Sequence, residues 1–96
     1  MSKPRITCVL ANNGQSVHFY LNPEGRDLLV KELLHLDERW DHLHIQPEAW
    51  SVDLPLQVTA YVPDKETVIE DVKITYRPDA WDAEHFPHVM KDDARA

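Results

Sequence analysis

The chain has 96 residues, of which 43% are hydrophobic and 28% are charged, and its formal net charge is −7. This length fits one domain rather than two, and the apolar share is enough for one modest core. No apolar run approaches the roughly 20 residues that cross a bilayer, and residues 1–5 lead into a strand-like segment without the apolar core of a signal peptide. We therefore expect a cytoplasmic protein that contacts no membrane.

The negative charge is concentrated in one part of the chain. Residues 24–48 carry seven Asp and Glu side chains against three Arg and Lys, whereas residues 1–23 carry only Lys3 and Arg5. Such a balance repels phosphate backbones, so the sequence predicts no nucleic-acid binding. It would attract and steer a basic protein partner.

The first part of the chain has the pattern of a β-hairpin. Residues 5–10 alternate loosely, and residues 11–14 (Ala-Asn-Asn-Gly) suit a tight turn because Asn and Gly tolerate a positive φ. Residues 16–21 then alternate cleanly. One face of this strand carries Val17, Phe19 and Leu21, and the other carries His18 and Tyr20.

A helix is predicted directly after the hairpin. Asn22 is a suitable N-cap and Pro23 suits the first helical position, while Glu24 and Asp27 favour the positive end of the helix dipole. Leucines recur at helical spacing to about residue 36 and predict a buried stripe. The stripe consists of Leu29, Leu33 and Leu36, with Val30 and Leu34 beside it.

Three further strands are predicted before residue 78. Residues 42–45 form a short strand with Leu43 and Ile45 inward; residues 56–62 and 70–76 alternate, and the Pro63–Glu66 segment between them is turn-like. The fold class is therefore α+β, with a small antiparallel or mixed sheet of four to five strands in the order β-β-α-β-β-β and one amphipathic helix packed on one face. Residues 1–78 are expected to form a single domain. Residues 79–96 are expected to be a C-terminal extension, docked as a short turn or helix around 80–86 and then mobile.

No complete catalytic constellation is present, and no cofactor is expected. The His42-x-His44 pair would place two imidazoles on one face of a strand, as some metal sites require. A third ligand could come from Asp41, His18, His35 or the His85 and His88 pair, and the spacing selects none of them. We interpret the pair instead as the polar side of a half-exposed strand. Cys8, the only cysteine, is interpreted as a small buried hydrophobe.

The three tryptophans are candidates for packing or for partner contact. Trp40 and Trp81 are expected to pack at the edge of the core, whereas Trp50 follows Pro47 in a predicted loop and is the first choice for an interface anchor. Histidines and acids near Trp50 in sequence complete the predicted contact set. The predicted partner-binding residues are Trp50, His42, His44, Asp37, Glu38, Asp41 and Glu48.

Several ordered residues also resemble a known family. They are Gly25 before Leu28-Leu29, the segment 41–45 (Asp-His-Leu-His-Ile), Trp50 with Leu54 after it, and the strand 68–74. Over residues 14–77 the chain resembles a bacterial immunity-protein family of polymorphic toxin systems, the class numbered thirty-two. The resemblance implies a small α+β protein that neutralises a cognate toxin by direct binding, without catalysis.

Two other functions are consistent with the sequence. The first is a stand-alone structural or adaptor domain, with a homodimer formed through an edge strand as one form of it. The second is a small metal-dependent enzyme that uses His42 and His44. Inhibition of a basic toxin domain by an acidic binding protein is the function that we expect.

Overall fold

A computed structural model of the chain describes residues 3–47 and 54–91. In this part of the chain, strands β1 and β2 precede helix α1, four strands follow it, and two short helices end the described region. The elements are β1 (Ile6–Ala11), β2 (Ser16–Leu21), α1 (Pro23–Leu34), β3 (His42–Pro47), β4 (Leu54–Leu56), β5 (Glu66–Val68), β6 (Val72–Thr75), α2 (Asp79–His85) and α3 (Pro87–Met90). Within the described ranges, no helix has both the length and the apolar character that a membrane span requires.

The strands form two small sheets. One has the order β2-β1-β5 and is antiparallel; the other has the order β4-β3-β6, in which β3 pairs with β4 in parallel and with β6 antiparallel. The sheets meet where the Gln57 amide donates to the Ile6 carbonyl at 2.7 Å. The α+β class is confirmed.

The expected number of strands is wrong, because the described residues already form six strands in two sheets. The run 56–62 does not continue as a strand: β4 ends at Leu56, and residues 57–60 have no ladder. The segment expected to be only a turn ends in β5, which begins at Glu66 and pairs with β1. Alternating residues therefore mark the approximate place of a strand but not its hydrogen-bonding partner, which tertiary context decides.

Both sheets contribute side chains to one core. Its buried side chains come from β1, β3 and β4: Ile6, Cys8, Leu43, Ile45, Leu54 and Leu56. Leu28 and Leu29 of α1 and Leu36 after it pack against this cluster. The predicted inward orientation of Leu43 and Ile45 is confirmed, as is the burial of Cys8, whose thiol pKa is raised by desolvation.

The predicted hairpin and its tight turn are confirmed. Asn12, Asn13 and Gly14 all have positive φ (53°, 56° and 81°), and the Gly14 amide donates to the Ala11 carbonyl at 3.1 Å. Leu21, Phe19 and Val17 lie opposite Ile6, Cys8 and Leu10, so they share the face that β1 turns to the core. These three β2 side chains nevertheless remain 40–56% exposed.

Helix α1 begins as predicted. The Asn22 Oδ1 accepts from the Gly25 amide at 2.7 Å, and Pro23 opens the helix. The predicted buried stripe is only partly right. Leu29 and Leu36 pack against the core, but Val30, Leu33 and Leu34 are exposed, because α1 ends at Leu34 and contacts the core through only one narrow side.

Helices α2 and α3 occupy the segment for which a short turn or helix was expected around 80–86. No residue of either helix is buried. The Arg77 guanidinium lies 4.1 Å from the centroid of the Trp81 ring and also near Phe86, so cation–π contacts hold this segment together. The predicted mobile end lies mostly beyond residue 91, outside the described residues.

Candidate functional site

A tight turn between α1 and β3 presents Trp40 to solvent. The carboxylate of Asp37 accepts hydrogen bonds from the backbone amides of Arg39 and Trp40, both at 2.8 Å. The Asp37 amide in turn donates to the Trp40 carbonyl at 3.0 Å. Such an Asp-centred turn fixes a short loop without help from the core. The Trp40 side chain is 57% exposed on it.

Trp40 borders two open hollows. One is lined by Glu32 and His35 from the end of α1, by Trp40 and by the core residue Leu43. The other lies toward the start of β3 and is lined by Arg39, Trp40, Asp41, His42 and His44. Trp40 is therefore the residue that the two hollows share, and its side chain is exposed.

The outer face of β3 continues the site. His42 lies opposite Thr75 and His44 opposite Lys73 on β6, whereas Leu43 and Ile45 point into the core. The two imidazoles meet edge to face with their centroids 5.3 Å apart. This face is therefore polar and half-exposed, as the alternation in the sequence predicts.

Asp41 links the turn to the start of β3 and to the end of β6. Its carboxylate lies 2.8 Å from the His42 Nδ1, and this hydrogen bond is the main reason that the pKa of Asp41 is lowered. The Asp41 carbonyl accepts from the Tyr76 amide at 2.6 Å. Asp41 therefore stays ionised at neutral pH while its backbone ties the turn to the end of β6.

A third hollow connects the turn with the C-terminal helices. Glu38 and Asp41 line one side of it, and Tyr76, Arg77, Pro78 and Trp81 line the rest. Arg77 also lies 3.7 Å from the Asp82 carboxylate. We define the Trp40 surface as residues 37–44 with Glu32, His35, Tyr76 and Trp81. Three of its aromatic side chains, Trp40, Tyr76 and Trp81, are 39–57% exposed.

The structure brings together five of the seven residues that the sequence predicts for partner contact: Asp37, Glu38, Asp41, His42 and His44. Glu48 and Trp50 lie outside the described residues. The Asp37 carboxylate is occupied by backbone amides, so Asp37 positions Trp40 as well as supplying charge.

Trp40 was assigned to the edge of the core, and that expectation is wrong because its side chain is mostly in solvent. The signal that could have found it is Asp37 three residues before it. Asp at that spacing favours a turn over residues 37–40, whereas the direction of the Trp40 side chain depends on how that turn leaves the sheet.

Within the described part of the chain, the two histidines do not belong to a larger cluster of ligands. Among residues 3–47 and 54–91, no group of three or more His, Cys, Asp or Glu side chains is arranged to hold a metal ion. His42 is hydrogen-bonded to Asp41, and His44 lies 3.7 Å from the Asp71 carboxylate. Each imidazole thus has an acidic neighbour of its own.

No family model matches the sequence, and neither the curated proteins nor the solved structures contain a significant match to it.

Proposed function

We propose that this chain is a non-enzymatic binding protein that neutralises a basic partner, a cognate bacterial toxin domain in the cytoplasm, by covering it with the Trp40 surface. The observation that carries the proposal is the exposure of Trp40 on a turn fixed by Asp37, close in sequence to the acidic residues Glu38 and Asp41. The family resemblance supports the choice of a toxin as the partner.

The local chemistry supports binding through Trp40. Tryptophan is enriched among residues that dominate binding energy, because it buries a large rigid surface and loses little conformational entropy. The turn is held by three hydrogen bonds around Asp37, so Trp40 is already oriented before the partner arrives. Preorganisation of this kind lowers the entropic cost of association.

The charges around Trp40 support a basic partner. Asp37, Glu38 and Asp41 supply three carboxylates within five residues, and Arg39 is the single cation among them. Complementary charge of this kind speeds encounter and excludes acidic partners, while the buried aromatic group slows dissociation. Glu48 and Trp50 follow β3 in the sequence and remain predicted contacts of the same surface.

The direct test is co-expression of the chain with the product of the gene next to its own, with growth as the readout. The proposal predicts that the neighbouring gene product is toxic alone and harmless with this chain, and that the two proteins co-purify. Added salt should weaken the complex mainly by slowing association, since the Debye length falls to about 3 Å at 1 M. Unchanged toxicity, together with no complex on purification, would contradict the proposal.

A further inference from the structure

Among residues 3–47 and 54–91, no strand pairs with the outer edge of β2. This strand pairs with β1 on one side and ends the sheet on the other, with six residues from Ser16 to Leu21. A free edge exposes unpaired amide and carbonyl groups that can form a ladder with another strand.

The other edge strands in the described ranges carry features that discourage such pairing. β4 has three residues and contains Pro55, which lacks an amide hydrogen; β5 has three residues and begins with Glu66. β6 has four residues and carries Lys73. Short length, proline and inserted charges are the usual means by which edges avoid pairing. β2 has none of them.

The distribution of charge favours a second copy of the chain as the strand that pairs with β2. Residues 6–23 contain no Asp, Glu, Lys or Arg, although 28% of the chain is charged. Two molecules that each carry a net charge of −7 repel one another, and least where no carboxylate lies in the contact. A twofold axis places identical residues near each other, so an uncharged strand is compatible with its own copy. A basic partner would gain no ion pair at this edge.

The side chains of β2 fit the same arrangement. Val17, Phe19 and Leu21 continue the apolar face that β1 turns to the core, yet they stay 40–56% exposed. A twofold axis perpendicular to the sheet would place these three side chains of one copy beside the same set of three in the other copy, on one face of the joined sheet. Apolar and aromatic cross-strand neighbours of this kind stabilise antiparallel pairs.

The opposite face of β2 is already held in place. The Tyr20 ring stacks on Tyr61 with centroids 4.0 Å apart, and the Tyr20 hydroxyl donates to the Glu66 carboxylate at 2.6 Å. These contacts fix β2 against β1 and β5, so the edge is ordered before it pairs.

We propose that two copies of the chain associate through antiparallel pairing of β2 with β2. This pairing joins the β2-β1-β5 sheet of one copy to the β2-β1-β5 sheet of the other in one continuous sheet. The pairing leaves the Trp40 surface of each copy out of the contact, so a dimer would present two partner sites. The proposal does not depend on the identity of the partner, or on whether the Trp40 surface binds one.

The test is sedimentation velocity of the full chain alone, from low micromolar to about 0.1 mM, with three proteins compared. The unmodified chain should be a dimer at the upper concentrations. Val17→Lys, at a side chain 56% exposed, should raise the dimer dissociation constant at least about tenfold by placing a charged side chain in the apolar contact of each copy. Val89→Lys, at a side chain 47% exposed on α3, is the matched control and should leave it unchanged. Thermal unfolding of each variant verifies that it is folded.

A chain that remains monomeric throughout this range would overturn the proposal. So would a dimer that Val17→Lys leaves intact while the variant is folded. If the unmodified monomer becomes a dimer only after residues 92–96 are removed, the chain's own end is the occupant of the edge and the proposal is wrong.

Discussion

Asp37 and Trp40 close a turn through two hydrogen bonds. The Asp37 carboxylate accepts one from the Trp40 amide at 2.8 Å, and the Trp40 carbonyl accepts the other from the Asp37 amide at 3.0 Å. The indole is thus held in solvent by local hydrogen bonds instead of by packing. This relationship separates two roles that lie next to each other in the sequence, because one residue fixes the turn and the other offers the contact surface.

Removing the Asp37 carboxylate should destabilise the turn. Asp37→Ala leaves the Arg39 and Trp40 amides without their acceptor, which should lower the free energy of unfolding by about 1 kcal/mol, the usual cost of losing a capping side chain. Asp37→Asn is the matched control, since its amide oxygen can still accept. Urea unfolding of the two variants measures the difference. Equal stability of the Ala and Asn variants would show that these hydrogen bonds do not hold the turn.

Gly25 is the only glycine in α1, and replacing it with alanine should destabilise the protein. Alanine normally favours a helix by about 1 kcal/mol over glycine. At Gly25, however, an added Cβ would collide with the backbone carbonyl of Arg5, which cannot move away as a flexible side chain could. Gly25→Ala should therefore lower the melting temperature, whereas Lys31→Ala on the exposed side of the same helix should change stability by no more than about 0.5 kcal/mol. A more stable Gly25→Ala variant would contradict the close approach of α1 to the Arg5 backbone.

Local chemistry predicted the elements that depend on neighbouring residues. The Asn12-Asn13-Gly14 turn, the Asn22 cap and the alternation of Leu43 and Ile45 are all found where the sequence places them. Each of these features depends on backbone preferences or on side-chain spacing within a few residues, so no long-range contact is needed to specify it.

The features that depend on distant contacts could not be predicted in the same way. The division of the strands into two sheets depends on which strand β5 pairs with, and its partner β1 lies more than fifty residues earlier. The exposure of Val30 and Leu34 depends on how much of α1 the core can reach, which helical spacing does not report. For the candidate site, the acids and histidines follow from the sequence, but the exposure of Trp40 depends on the direction in which its turn leaves the sheet.

The Tyr20 and Glu66 pair should make stability depend on pH at both ends of the range. The Tyr20 hydrogen bond is the main cause both of the lowered pKa of Glu66 and of the raised pKa of Tyr20. The contribution of Glu66 is therefore present above its unfolded pKa of about 4.3 and is lost as pH falls through the lower folded value. The contribution of Tyr20 is present below about pH 10 and is lost as pH rises through its higher folded value.

Tyr20→Phe removes the shared hydrogen bond and keeps the aromatic ring. The stability difference between the unmodified chain and Tyr20→Phe should be constant near neutral pH and should shrink toward both extremes. Denaturant unfolding at a series of pH values measures it. A difference that does not vary with pH would mean that the bond between these two residues does not form in solution.

Zinc should not stabilise the protein. His42 and His44 supply two imidazoles, Asp41 is engaged with His42, and the residues in the described ranges do not complete a set of three ligands at this place. A structural zinc site is normally closed by four protein ligands. The thermal midpoint should be the same with and without equimolar zinc, and the double variant His42→Ala, His44→Ala should respond no differently. A midpoint that rises with zinc in the unmodified chain and not in the double variant would restore the metal hypothesis, because a ligand that binds only the folded state stabilises it.

The central claim is that Trp40 anchors a basic partner, and the most direct measurement of it is the affinity of Trp40→Ala for the co-purifying protein. Tyr61→Ala is the matched control, because Tyr61 is an aromatic residue with nearly the same exposure, 56% against 57%, that lies outside the Trp40 surface. We predict that Trp40→Ala folds normally and weakens binding by about 2 kcal/mol or more, mainly through faster dissociation, while Tyr61→Ala binds as the unmodified chain does. Equal affinity of the folded Trp40→Ala variant and the unmodified chain would contradict the claim.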